Sequence, residues 1–265
     1  MQDLTVTLVQ ANLVWENKQA NLSHLEAMLN GVQQTQLIVL PEMFSTGFSM
    51  QSTALAENMM GPSIDWMRNL AEKKNAVVCG SLIIEDDAAF YNRLIWMQPD
   101  GMLEFYDKRH LFSLAGEEKY YKPGKHKIFP EIDDWKFLPL ICYDLRFPVW
   151  SRQSPPFTEL GAHPYDVLVY VANWPERRSY AWEQLLIARA IENQCYVIGV
   201  NRVGDDGNGV HHNGLSCIID PMGKKCLQIE EVESAVSFTL SASSLQDTRL
   251  RLPFLDDRDE FELRR

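Results

Sequence analysis

Short aliphatic runs alternate with segments of helical periodicity along this chain, and few architectures accommodate such an alternation. LTVTLVQANL (4–13) is rich in β-forming residues. Residues 17–33 then carry apolar side chains at helical spacing: Leu22, Leu25, Met28, Leu29 and Val32. The compact run LIVLP (37–41) precedes a second helical segment over 63–74, where Pro62 suits the first turn. AVVCGSLII (76–84) and YNRLIWMQ (91–98) read as strands, closed by the turn signal Pro99-Asp100-Gly101. Residues 107–125, rich in charge, Gly and Pro, read as a long loop, and KFLPLICYD (136–144) as a strand whose last residues turn polar.

A second cycle follows. It comprises a strand DVLVYVANW (166–174), a helix over 179–193 and a strand CYVIGVN (195–201). After the glycine-rich segment GDDGNG (204–209) come β-rich runs at 214–220, 224–229 and 234–240, and from Ser241 a polar tail expected to lie over a surface. Alternating helices and strands predict an α/β fold, and the late strand pairs predict mixed rather than purely parallel sheets. The expectation is one domain over 1–265 with a repeated half, residues 241–265 forming its C-terminal tail.

With 46 % hydrophobic and 23 % charged residues, the chain has the apolar material for a substantial core. A net charge of −11 argues against a general nucleic-acid binder, which needs a basic footprint to neutralise phosphates. No apolar stretch approaches the roughly 18–20 residues that span a bilayer, and the first residues lack the pattern of a secretory signal. Cys79, Cys142, Cys195, Cys217 and Cys226 are odd in number and scattered, without C-x-x-C spacing. Reduced thiols in a cytoplasm are the simplest reading, with neither nucleic acid nor membrane as partner. Small-molecule chemistry is the expectation.

Three passages place a reactive residue just past an apolar strand: Glu42 in LIVLPEMF, Lys108 in FYDKRHLF and Cys142 in LPLICYDLRF. Rigid sheets aim the loops that follow them, so catalytic groups gather at strand ends. Alone, each residue has a plainer explanation: a capping carboxylate, a solvated lysine, a small buried cysteine. Together they compose a chemistry. A thiol needs a base or a nearby cation to become a strong nucleophile. A desolvated glutamate can take its proton and return it to a leaving amine, while a lysine meets the charge that develops on the substrate oxygen. Whether the three meet in space is left to the structure.

These residues resemble the nitrilase, or carbon–nitrogen hydrolase, superfamily, through LPEMFSTGF (40–48), YDKRHLF (106–112), EEKYYKPG (117–124), LICYDLRFP (140–148) and ARAIENQCYVIGVNRVG (188–204). The resemblance implies a four-layer α-β-β-α sandwich, usually dimerised. It implies Glu42 as general base and acid, Lys108 as oxyanion partner and Cys142 as nucleophile, with the backbone N–H of Tyr143 completing the oxyanion hole. Glu117, six residues before Pro123, matches a further glutamate of the family, although Glu118 stands beside it. No metal or organic cofactor is required, and the adjacent pair His211-His212 reads as solvated loop.

CYDLRFP, DKRHLF and the NRVG segment resemble the ω-amidase branch, which removes the terminal amide of α-keto acid amides such as 2-oxoglutaramate and 2-oxosuccinamate and belongs to metabolite repair and methionine salvage. In that branch Arg146 is placed to grip the substrate carboxylate with two parallel hydrogen bonds. A salt bridge from Arg146 to Asp144 is the equal alternative. Phe44 and Trp174 are candidates to line the pocket, whereas Phe48 is expected in the core. The competing functions are an N-carbamoyl amine hydrolase, a nitrilase, a catalytically silent binding module, and a thiol redox protein using Cys195 as resolving cysteine.

Overall fold

The computed structural model describes residues 1–153, 163–259, 261 and 263. In chain order its strands are β1 Leu4–Gln10, β2 Leu37–Val39, β3 Val77–Asp86, β4 Ala89–Met97, β5 Leu103–Asp107, β6 Glu131–Ile132, β7 Trp135–Ile141, β8 Val167–Ala172, β9 Tyr196–Asn201, β10 Val203–Asp205, β11 His211–Asn213, β12 Cys217–Ile219, β13 Lys225–Gln228 and β14 Ser234–Leu240. Its α-helices are α1 Lys18–Leu29, α2 Ser52–Leu55, α3 Pro62–Lys74, α4 Pro148–Ser151, α5 Ser179–Asn193 and α6 Ala242–Arg251.

Twelve of these strands form two six-stranded sheets, ordered β14-β1-β2-β3-β4-β5 and β13-β12-β9-β8-β7-β6, and β10 and β11 pair separately. Each has three parallel strands in chain order (β1, β2, β3 and β7, β8, β9) with antiparallel strands outside them. This is the mixed sheet and repeated strand pattern expected from the sequence.

Period-two alternation sorts the side chains of the first sheet. Val6, Leu8, Leu37, Val39, Val77, Cys79, Leu94 and Trp96 share one buried cluster with Phe137, Leu138, Leu140 and Val167 to Val171 of the second sheet. The intervening residues Val9, Ile38, Val78, Ile95 and Met97 pack instead with Leu22, Leu25 and Leu29 of α1 and Ile64, Met67 and Leu70 of α3. The tilted Trp96–Phe137 ring pair, 4.9 Å between centroids, bridges the sheets. Such a pair adds about 0.5–1.5 kcal/mol beyond the area it buries. On the other side α5 lies so close to β9 that a Cβ at Gly199 would sit 2.7 Å from Leu186 and 2.9 Å from Trp182. The result is the four-layer α-β-β-α sandwich.

Two sequence expectations are corrected, and the reading of the tail gains detail. The polar segment after Ser241 holds helix α6, whose first N–H (Ala242) is capped by Asp3 and whose Arg249 binds Asp166 and the carbonyls of Gln194 and Tyr165. The glycine-rich segment after Gly204 is the turn of a β10–β11 hairpin, and His211 and His212 are strand rather than loop residues. Within 107–125, two 3-10 turns (Ser113–Ala115 and Glu117–Lys119) order what reads as plain loop. No described helix is long and apolar enough to cross a membrane.

Candidate active site

Glu42, Lys108 and Cys142 each follow a strand of the central sheets and converge on one cavity of about 550 Å³. Each is fixed by its own local hydrogen bonds. Beyond β2 the chain is pinned to β3, with Leu40 N–H donating to the Cys79 carbonyl and Met43 N–H to Ser81 Oγ, and Met43 takes a left-handed φ of 44°. Arg93 grips Asp107 through two hydrogen bonds of 2.7 and 3.0 Å, anchoring the end of β5. Lys108 then donates its N–H to Asn92 O and accepts from Gly124 N–H, each at 2.9 Å. Gly124 has no room for a side chain, because a Cβ there would fall 2.0 Å from the Asp107 carbonyl oxygen. Hence the Pro-Gly pair that ends the lysine loop.

Cys142 begins a 3-10 turn, Cys142–Arg146, with φ at +43°. A non-glycine residue there is strained by about 1–3 kcal/mol, and such strain persists only where neighbours impose it. Buried Asp144 supplies the imposition. Its Oδ2 accepts from Ile141 N–H (3.1 Å) and Tyr106 O–H (2.8 Å), while its Oδ1 accepts from His110 N–H (3.0 Å) and lies 2.8 Å from His110 Nδ1. One carboxylate thereby ties the cysteine turn to the lysine loop. The N–H of Tyr143 lies in the first turn, where a helix offers no internal acceptor.

The side chains meet as an ionic cluster excluded from solvent. Lys108 Nζ donates to Glu42 Oε1 at 2.8 Å and to Glu117 Oε1 and Oε2 at 3.1 and 3.0 Å, and all three residues are at most 1 % exposed. Asn92 Nδ2 reaches Glu42 at 2.8 Å and Glu117 at 3.3 Å. Asn173 clamps Glu42 from the other sheet, its N–H on Oε2 at 2.8 Å and its Nδ2 on the Glu42 carbonyl at 2.6 Å. Cys142 Sγ lies 4.0 Å from the Asn173 carbonyl oxygen.

Burial opposes the Lys108 charge, but Glu117 and Glu42 outweigh it and hold the ammonium above its ordinary range. Burial likewise raises Glu117, partly countered by Lys108 and reinforced by Glu42. The Cys142 thiol is pushed well up, by burial first and then by the Glu42 carboxylate, with Lys108 pulling the other way. At neutral pH the cysteine is therefore a thiol beside a base rather than a stored thiolate. The Glu42 carboxylate is the charged group beside that thiol which raises it most after burial.

Glu117 occupies the cluster while Glu118 is exposed, which fixes the register left open by the sequence. Trp174 lines the cavity, as does Arg146, whose guanidinium lies 4.8 Å from the Trp174 ring centroid. Asp144 is fully engaged elsewhere, so the Arg146–Asp144 salt bridge does not form.

Phe44 and Phe48 exchange their expected places. Phe44 is fully buried against Trp66 and Gly80 in the helix-side core, whereas Phe48 lines the cavity 5.0 Å from Lys108 Nζ. His211 is exposed between Asp205 and Glu231. His212, expected to be solvated, is 2 % exposed and lines the cavity; burial and then Arg202 push its imidazole down to about 4, so it is neutral. Cys195 does not resolve Cys142. It precedes β9 while Cys142 follows β7, and since β7, β8 and β9 run parallel the two lie at opposite ends, roughly 20 Å apart at ~3.3 Å per residue.

Asn92 and Asn173 are the site residues that motif reading missed. Asn173 carries the same signal that drew attention to Glu42, a polar residue ending the apolar run VLVYVA. Asn92 carries a weaker one, an uncharged amide inside the strand-like run YNRLIWMQ, and the fold buries it fully.

The carbon–nitrogen hydrolase family model matches residues 5–249, and the chain belongs to that family. It is similar to omega-amidase YafV of Yersinia enterocolitica, 46 % identical with 99 % of this chain and 100 % of that protein covered. It is also similar to 2-oxoglutaramate amidase of Bacillus subtilis, at 31 % identity over 96 % of each. Among solved structures, XC1258 from Xanthomonas campestris, a CN-hydrolase superfamily protein with an arsenic adduct in its active site, matches with a TM-score of 0.97 and 42 % identity over 100 % of both chains.

Proposed function

We propose that this chain is a cysteine amidohydrolase releasing ammonia from the terminal amide of α-keto acid amides such as 2-oxoglutaramate and 2-oxosuccinamate. The observation that carries the chemistry is the buried Glu42–Lys108–Glu117 cluster at the floor of a cavity that also holds the Cys142 thiol. The substrate class rests on the likeness to an omega-amidase and a 2-oxoglutaramate amidase, together with an arginine that faces the cavity without an acid partner among the described residues.

In the proposed cycle Cys142 Sγ attacks the amide carbon as its proton passes to Glu42. Negative charge gathers on the substrate oxygen, where the Lys108 ammonium and the Tyr143 N–H meet it. Collapse breaks the carbon–nitrogen bond; the nitrogen takes the proton from Glu42 and leaves as ammonia, with a thioester on Cys142. Water then gives a proton to Glu42, attacks the thioester, and releases the carboxylic acid as the thiol recovers its proton. Glu117 and Asn92 position Lys108 and Glu42, and Trp174 supports Arg146 on the substrate carboxylate.

Ammonia release should be fast for 2-oxoglutaramate and 2-oxosuccinamate and slow for glutamine, an N-carbamoyl amine and a simple nitrile. Arg146→Ala should penalise the acidic keto amides by ~10–100-fold, the worth of a hydrogen bond to a charged group, and neutral amides far less. Turnover of only the carbamoyl compound or the nitrile would discard the substrate reading, and equal losses on acidic and neutral amides would make Arg146 structural.

We also propose that the chain acts as a homodimer in the cytoplasm. The family habit and the exposed apolar side chains Tyr180 and Ile191 on α5 support the first, and five free cysteines suit a reducing compartment.

A further inference from the structure

The cavity holds more positive charge than a single carboxylate requires. Arg146, Arg177 and Arg178 all line it, and among the described residues no acid or carbonyl accepts from any of their guanidinium groups. Two of them are held over aromatic faces: Arg146 over Trp174, and Arg178 over Phe112 at 5.1 Å. Arg177 is exposed, whereas Arg146 and Arg178 are half-buried. The backbone at Arg178 is fixed relative to the site, because its carbonyl accepts from Trp174 Nε1 at 2.8 Å. Burial, then Arg177 and Arg146, lower the Arg178 guanidinium from its ordinary value, and it remains charged at neutral pH.

The other carboxylates of the cavity bond elsewhere, each through one oxygen, rather than to these arginines. Glu16 accepts from Ser49 Oγ at 2.5 Å, and Asp206 accepts from the N–H groups of Asn208 and Val210 at 2.8 and 2.9 Å. A ligand entering this cavity therefore meets two cations, Arg146 and Arg178, each with free donors and no compensating acid bonded to it among the described residues.

We propose that Arg178 is a specificity-determining residue: with Arg146 on the terminal carboxylate, Arg178 donates to the 2-oxo oxygen and its charge excludes the α-ammonium of an amino-acid amide. This rests on the amidase reading above and deepens it. An α-keto acid presents its carboxylate and ketone oxygens along one edge, which two guanidinium forks lining one cavity can share. An α-ammonium at the same carbon places like charges side by side, and a plain methylene offers nothing to donate to.

The test compares three amides that differ only at that carbon: 2-oxoglutaramate, glutaramate and glutamine. In Arg178→Met, kcat/KM for 2-oxoglutaramate should fall ~10–100-fold, toward the value for glutaramate, while the disadvantage of glutamine relative to glutaramate shrinks. Arg178→Lys should keep the discrimination against glutamine and lose part of the preference for the ketone. Circular dichroism melts establish that the variants fold. A uniform loss on all three amides, or no change in their ratios, would overturn the proposal. Turnover of none of the three by the wild type would instead overturn the amidase reading, and this proposal with it.

Discussion

Cys142→Ala should abolish ammonia release from 2-oxoglutaramate, lowering kcat by at least ~10⁴-fold, while leaving the protein folded. The geometry separates the two effects. Cys142 is half-buried and lines the cavity, its sulfur makes a long 4.0 Å contact to the Asn173 carbonyl, and Asp144 and Tyr106 hold the Cys142–Arg146 turn. Alanine keeps a Cβ at the same left-handed φ, so the strain stays as it was, and the stability change should be within about 1 kcal/mol. Because the resting thiol is held protonated by burial and by Glu42, alkylation of the wild type should be slow at neutral pH, quicken as pH rises, and be blocked by substrate. Full activity in the alanine variant would remove Cys142 as nucleophile.

Lys108→Met should reduce kcat by ~10²–10³-fold or more, with little change in KM. The ammonium is proposed to act on charge that appears only in the transition state, so its loss belongs to the chemical step. It also leaves Glu42 and Glu117 facing each other around Asn92 without the cation between them. Breaking a buried ion pair from one side costs about 3–5 kcal/mol, so this variant should melt visibly earlier than Cys142→Ala. Glu117, already raised by burial, loses the charge that lowers it and takes up a proton at higher pH than in the wild type. A change confined to KM would contradict the oxyanion role.

What could be read from the sequence follows from where each signal resides. The inner strands were legible because they are buried on two faces and so appear as uninterrupted aliphatic runs, LIV at β2 and VLVYVA at β8, whereas the half-exposed β5 and the two-residue β6 carry no such run and were not assigned a range. Glu42, Lys108 and Cys142 were legible because a charged or reactive residue at the end of such a run is costly without a purpose. Helix α6 was not, since only Ala242 and Leu245 of its ten residues are buried and its docking runs through Arg249 and Asp3. Phe44 and Phe48 were misplaced for a different reason. Regular structure ends at Val39 and the chain turns through the left-handed Met43, and without a period the side of an aromatic cannot be counted. Asp144 illustrates the remaining limit: its sequence neighbour Arg146 is the obvious partner, but the fold delivers Tyr106 and His110 from 34 to 38 positions away.

The most direct test is to acid-quench the wild-type enzyme at saturating 2-oxoglutaramate during its first turnovers, digest it, and locate the acyl group by peptide mass spectrometry. The expected result is a 2-oxoglutaryl thioester on the peptide bearing Cys142, absent from Cys142→Ala. An acyl group on any other residue, or steady turnover with no acylated peptide across the quench series, would contradict the thioester mechanism.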